Sequence, residues 1–151
     1  MRQPLPPNKG TYALIMRCRT AGQTTIGKLG QFVLRPGFYI YVGSAQGPGG
    51  IKARVSRHRR REKKLHWHID YLRRHTALVE TWAMTGTANR EHDWAAALAA
   101  QFESAHDRFG ASDCRCLSHL FYSADRPSPD AIDAIRGSEP FYLCTLPARI
   151  T

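Results

Sequence analysis

The break Gly47-Pro48-Gly49-Gly50 constrains this chain more than any other stretch, because it ends one kind of structure and opens another. Ahead of it, Phe38, Ile40 and Val42 alternate with Tyr39, Tyr41 and Gly43, which is the period of two of a half-buried strand. Behind it, Ile51, Arg54, Val55 and His58 fall at i, i+3, i+4 and i+7. That spacing sets them on one face of a helix predicted from about Ile51 to Lys64.

The predicted helix is also where the charge sits. The 151 residues carry 22 Lys and Arg against 12 Asp and Glu, a net +10. Between Lys52 and Lys64 lie eight bases (Lys52, Arg54, Arg57, Arg59, Arg60, Arg61, Lys63 and Lys64) and one acid, Glu62, so this segment holds +7 of the +10. A concentrated positive run fits a polyanionic partner, nucleic acid before an acidic membrane surface, with a merely solvated face as the plain alternative. No run of 18 apolar residues offers a membrane span. The Pro-rich start from Met1 to Gly10 is no secretory signal, and four cysteines (Cys18, Cys114, Cys116 and Cys144) are no disulfide framework in a chain this long, so the cytoplasm is the expected compartment.

Other elements follow from pattern. Strands are predicted over Thr11 to Cys18, near Thr24 to Gly27, over Ala77 to Met84, Leu117 to Ser123 and Phe141 to Leu146. Helices are predicted over Trp67 to Arg74, Glu91 to about His106, and Asp130 to Arg136. In the long one Trp94, Ala95, Leu98, Ala99 and Phe102 make a single apolar stripe; Trp82 and Trp94 read as core. The fold class is α+β: a single domain over 1–151 with a small antiparallel sheet, its core at about 10–122 and a C-terminal extension at 123–151.

On the basic helix, Arg54 and His58 border the apolar stripe and point toward the sheet edge, while Arg57, Arg59, Arg60 and Arg61 spread outward. Arginine suits phosphate because its planar fork pairs with two oxygens and keeps its charge. The helix N-terminus after Gly50 is a second place for phosphate to sit.

Gly10-Thr11-Tyr12 on the first strand, Tyr41-Val42-Gly43 ending the next strong one, and Arg54 beyond it resemble the GIY-YIG nuclease signature. The wider run YIYVGSA, ARVSRH, HWHIDYL and SDCRCLSHLFY resembles the poorly characterised branch of that superfamily found alone or fused to endonuclease III. The resemblance spans about Gly10 to Tyr122. It implies a three-stranded antiparallel sheet flanked by helices in the order β-β-α-α-β-α. Two departures stand out: Thr11 replaces the motif's Ile, and Arg19 to Pro36 inserts a hairpin between the two tyrosines.

The roles it implies are specific. Tyr12 matches the tyrosine that helps activate water, and Tyr41 the one that orients nucleophile and phosphate. Gly43 allows close backbone approach, Arg54 stabilises phosphate charge, and His58 matches a histidine one turn later. Glu91 is the best match to the glutamate that holds the family's single metal ion, Mg²⁺ or Mn²⁺, with Asp93 and Glu103 as weaker candidates. Glu91 precedes Trp94, Ala95 and Leu98 at i+3, i+4 and i+7, so it sits at one end of the buried stripe; the plain alternative is a carboxylate favouring the helix dipole. Gly43 and Ser44, with Lys52, Arg57, Arg59, Arg60, Arg61, Lys63 and Lys64, are the expected nucleic-acid contacts.

A second polar cluster joins His66, His68, Asp113, Cys114, Cys116 and His119. The Cys-x-Cys-x-x-His spacing does not match the paired zinc motifs, so a hydrogen-bonded polar floor is preferred over Zn²⁺. The expected function is divalent-metal-dependent hydrolysis of phosphodiesters in DNA or structured nucleic acid, with DNA repair as a setting. The alternatives are an inactive basic binding module of the same fold and a zinc-stabilised interaction domain.

Overall fold

The computed structural model of the chain describes residues 4–60, 63–106, 109, 118–135 and 139–146. In order, the elements are β1 (Gly10–Cys18), β2 (Gly22–Ile26), β3 (Gly30–Leu34), β4 (Gly37–Ala45), α1 (Gly50–Arg59), α2 (His68–Leu72), β5 (Ala77–Thr85), α3 (Glu91–Ala99), β6 (Glu103–Ser104), β7 (Leu120–Ser123) and β8 (Phe141–Thr145). The fold is α+β. Its main sheet runs β6-β7-β4-β1-β5-β8, every neighbouring pair antiparallel, while β2 and β3 form a separate hairpin.

The three-stranded sheet expected from the sequence is therefore only the centre, β4-β1-β5. Apolar Leu120–Tyr122 adds β7 to one edge, and Phe141–Thr145 adds β8 to the other. The segment 123–151, expected as an extension, thus contributes a strand to the same sheet. The inserted hairpin is present, as Gly22–Ile26 paired with Gly30–Leu34.

β4 is not half-buried. Tyr39 on one face and Ile40 and Val42 on the other are all about fully buried, because helices cover both sides of the sheet. Tyr12, Leu14, Met16 and Tyr39 pack with Ile51 and Val55 of α1 and Ile69 and Leu72 of α2. Ala13, Ile15, Ile40, Val42 and Trp82 pack with Trp94 and Leu98 of α3. Each such aliphatic or aromatic burial contributes roughly 1.5–3 kcal/mol. Both tryptophans read as core are fully enclosed.

Helix lengths differ from the sequence reading. α1 stops at Arg59 rather than Lys64, as Arg60 turns to extended geometry (φ −68°, ψ 132°) and its N–H closes on the Arg57 carbonyl. The helix predicted over Trp67 to Arg74 is five residues followed by a 3-10 turn at Arg73–His75. α3 ends at Ala99 instead of His106, because Glu103–Ser104 pairs with β7 across from Tyr122 and Phe121. The short helix expected at Asp130 is 3-10 over Pro129–Ile135. Among the described residues no helix is long and apolar enough to cross a membrane.

Candidate functional site

The β1–β4 register sets Tyr12 directly across from Gly43. A Cβ at Gly43 would overlap the Tyr12 ring, so this glycine provides the close approach expected of it, but to a tyrosine ring of the same sheet. Tyr12 lies across that bare backbone and reaches His58 of α1, Oη to Nε2 at 2.7 Å, both side chains buried. Burial first, then Tyr41 and the Glu91 carboxylate, push the Tyr12 phenol well above its ordinary range, while Arg54 pulls the other way. Burial, then Lys63, draws His58 down from 6.5 to about 3, which leaves it neutral at pH 7. Its Nδ1 has no hydrogen-bond partner among the described residues. The Tyr41 ring meets His58 edge-on at 6.1 Å, and burial and Glu91 raise its phenol too.

Arg54 is half-buried on the rim of this pair, its guanidinium carbon 4.7 Å from the centre of the Trp67 ring. It borders a cleft of about 110 Å³ lined also by Gly47, Pro48, Gly50, Ala53 and Arg57. Arg57 was expected to face outward, and it does not. Its fork closes on Asp70 at 2.8 and 2.9 Å, and its guanidinium lies 4.1 Å over Trp67. Asp70, at the third position of α2, also accepts the His66 and Trp67 amides, each at 2.8 Å. Burial raises the Asp70 carboxyl, but Arg57 and the two amides outweigh it and hold it at about 2. Asp70 thus fixes Arg57, Arg57 and Arg54 stack on Trp67, and the HWHID segment becomes the support of Arg54.

Other expected phosphate contacts are also in use within the fold. The Ile51 and Lys52 amides at the start of α1 donate to the Asn8 and Pro6 carbonyls (2.9 Å each), so these two amides are taken up by the N-terminal segment. Gly50 (φ 56°) sits so close to Pro7 and Asn8 that any Cβ would collide with their backbone. Lys63 donates to the Arg57 and His58 carbonyls at 3.0 and 3.1 Å, capping the C-terminal end of α1; burial lowers it to about 8. Ser44 is held by Gln46 at 3.2 Å. Lys52, Arg59, Arg60 and Lys64 are exposed, while Arg61 lies outside the described residues.

Glu91 opens α3. Thr11, where the signature has Ile, uses its hydroxyl to accept the Arg90 amide at 3.1 Å, and Asn89 accepts the Glu91 amide at 2.9 Å. The first bond ties the start of α3 to β1 and the second steadies its first turn, and together they position the carboxylate. Glu91 Oε2 lies 3.5 Å from Nδ1 of buried His119, and His92 brings a third ligand atom, all within 4.8 Å of one another. Among the described residues this is the only group of three or more His, Cys, Asp or Glu side chains placed to share an ion.

The weaker metal candidates do not join it: Asp93 is exposed in the first turn of α3, and Glu103 pairs with Arg35 at 2.9 Å. Nor do His66, whose ring lies tilted against Trp67, or His68, edge-on to Phe109. Asp113, Cys114 and Cys116 lie outside the described residues, and Tyr39 packs with its hydroxyl accepting the Arg35 amide. Sequence reasoning missed His92 and the support role of Asp70 and Trp67. The available signals were the adjacency of His92 to Glu91 and an aspartate three residues after Trp67, at a helix start.

No curated protein matches the chain, and no solved structure does. Residues 11–138, most of the chain and all of the site above, match the family described as a domain of unknown function, DUF123. The chain belongs to the DUF123 family.

Proposed function

We propose that the protein is a GIY-YIG-type phosphodiesterase acting on DNA or structured nucleic acid with the help of a divalent cation. One observation carries this reading: Tyr12, Tyr41 and His58 form one buried cluster, Arg54 acts on both phenols and borders the adjoining cleft, and the Glu91 charge is felt by both phenols as well. Exposed Lys52, Arg59, Arg60 and Lys64, on α1 and just beyond it, supply the field that draws a phosphate backbone.

Arg54 pairs with two phosphate oxygens, steadied by the Trp67 face. The Tyr12 hydroxyl takes the proton of the attacking water and passes its own to His58 Nε2, 2.7 Å away. In the substrate-free fold that transfer is steeply uphill. Burial raises the phenol well above its ordinary range and draws the imidazole down to about 3, so a wide gap opposes the transfer. The arriving negative phosphate favours the imidazolium and narrows the gap. Glu91 would hold the divalent cation, which when bound would neutralise charge on the phosphoryl oxygens and the leaving oxyanion.

That same gap, with Tyr12 only 1% exposed, favours a second reading: a binding module that keeps the fold and the basic surface without turnover. Incubation with branched, nicked and plain DNA plus Mg²⁺ or Mn²⁺ separates the two. Cleavage by the wild type that falls in Arg54→Ala supports hydrolysis; equal cleavage by both proteins defeats it, and salt-sensitive binding without cleavage supports the module.

A further inference from the structure

We propose that Glu91, His92 and His119 form a mixed carboxylate and imidazole site for a borderline transition metal such as Co²⁺ or Zn²⁺, with Mn²⁺ as its spectroscopic stand-in, and not an all-oxygen site for Mg²⁺. The inference builds on Glu91 as the metal end of the proposed hydrolytic pocket and names the ion class that end selects.

The site has one fixed wall and one adjustable ligand. His119 is buried, and its backbone is pinned on both sides: its N–H donates to the Phe109 carbonyl at 2.8 Å, and its carbonyl accepts the Val42 amide at 3.0 Å. Glu91 is pinned through its own amide on Asn89 and through Arg90 on Thr11. Between these two, Oε2 and Nδ1 stand 3.5 Å apart. An ion with legs of about 2.0–2.2 Å holds adjacent ligands about 3.0–3.5 Å apart, so this pair is already near bonding separation. His92 is exposed, with a ring nitrogen already within 4.8 Å of the other two ligand atoms and a side chain that solvent leaves room to turn.

The donor set decides the ion. Mg²⁺ takes oxygen ligands and dehydrates reluctantly, whereas imidazole nitrogen suits the later first-row metals. Three protein ligands leave coordination positions open to water or a phosphate oxygen, the pattern of catalytic rather than structural sites. The carboxylate of this group also acts on the Tyr12 and Tyr41 phenols, which ties the site to the cleft.

The test uses the full chain stripped of metal and loaded with Mn²⁺, read by pulsed electron paramagnetic resonance for ¹⁴N coupling. Coupling to nitrogen is expected in the wild type, reduced in His92→Gln and again in His119→Gln, with at least tenfold weaker Mn²⁺ affinity in Glu91→Gln and no effective competition by equimolar Mg²⁺. His92 is exposed, so its variant keeps the test readable if the buried His119 variant fails to fold. Bound Mn²⁺ without nitrogen coupling, coupling unchanged in His92→Gln, or no binding overturns the proposal. Nitrogen-coupled metal without DNA cleavage defeats the hydrolytic reading and leaves this site standing; cleavage with an oxygen-only ion does the reverse.

Discussion

Replacing Asp70 by Asn tests the support beneath Arg54. The carboxylate is fully buried and accepts four bonds between 2.8 and 2.9 Å, two from Arg57 and one each from the His66 and Trp67 amides. Its carboxyl sits at about 2 against an ordinary 3.8, a difference equivalent to about 2 kcal/mol. Asn keeps the shape but offers one acceptor oxygen and turns an N–H toward other donors, which adds a loss of about 1–2 kcal/mol. Arg57 is 21% exposed, so water recovers part of its share. The net expectation at pH 7 is a loss of about 2–4 kcal/mol, or roughly 5–12 °C in melting temperature. A depressed carboxyl stabilises the fold above its unfolded value and loses that contribution as pH falls toward the folded one. The gap between wild type and D70N in urea unfolding should therefore hold from pH 7 to 5 and shrink by about 1 kcal/mol at pH 3. A gap below about 0.5 kcal/mol at pH 7, or one that stays constant down to pH 3, would refute the reasoning.

Further expectations follow from the same geometry. Gly43→Ala forces a Cβ into the Tyr12 ring and should cost about 1–3 kcal/mol, while Gly47→Ala, whose Cβ would come no nearer than 3.9 Å to Arg54, should melt within about 1 °C of wild type. His58 is held at about 3 against 6.5, so the unfolded chain takes up a proton that the fold refuses. Wild-type stability should fall as pH drops from about 6.5 toward 3, and His58→Gln should flatten that slope in urea titrations across the range. In DNA-binding isotherms at several salt concentrations, Arg59→Ala, Arg60→Ala and Lys64→Ala should each reduce the slope of log K against log salt by up to about 0.9. Arg57→Ala should leave that slope unchanged and lower the melting temperature instead.

Local signals carried much of this protein. The alternation in β4, the glycine break and the i, i+3, i+4, i+7 face of α1 all have their origin in neighbours a few residues apart, and all correspond to elements of the fold. Edges were harder. The local residues of β7 and β8 marked both as strands, but their pairing with the edges of β4 and β5 is a fact that no window around Leu120 or Phe141 contains. The end of α3 was missed for the same reason, since Glu103–Ser104 gains a strand partner that outweighs helix continuation. The basic run shows the limit of reading charge from composition: Arg57 and Lys63 look like their neighbours in sequence, yet one is spent on Asp70 and the other on two carbonyls of α1. The N-terminal Pro6 and Asn8, which close the start of α1, carry no motif at all. Thr11 looked like a mild departure from a signature and is instead the anchor of the α3 first turn.

The most direct measurement is the single-turnover cleavage rate of Tyr12→Phe against wild type, on a nucleic acid that both proteins bind, with Mn²⁺ saturating. With a proton-accepting hydroxyl removed, the rate should fall by about 10²–10⁴ while affinity for the strand changes less than twofold. Equal rates in the two proteins, or no cleavage by wild type on any of the DNA forms, would contradict a hydrolytic role for the Tyr12–His58 pair.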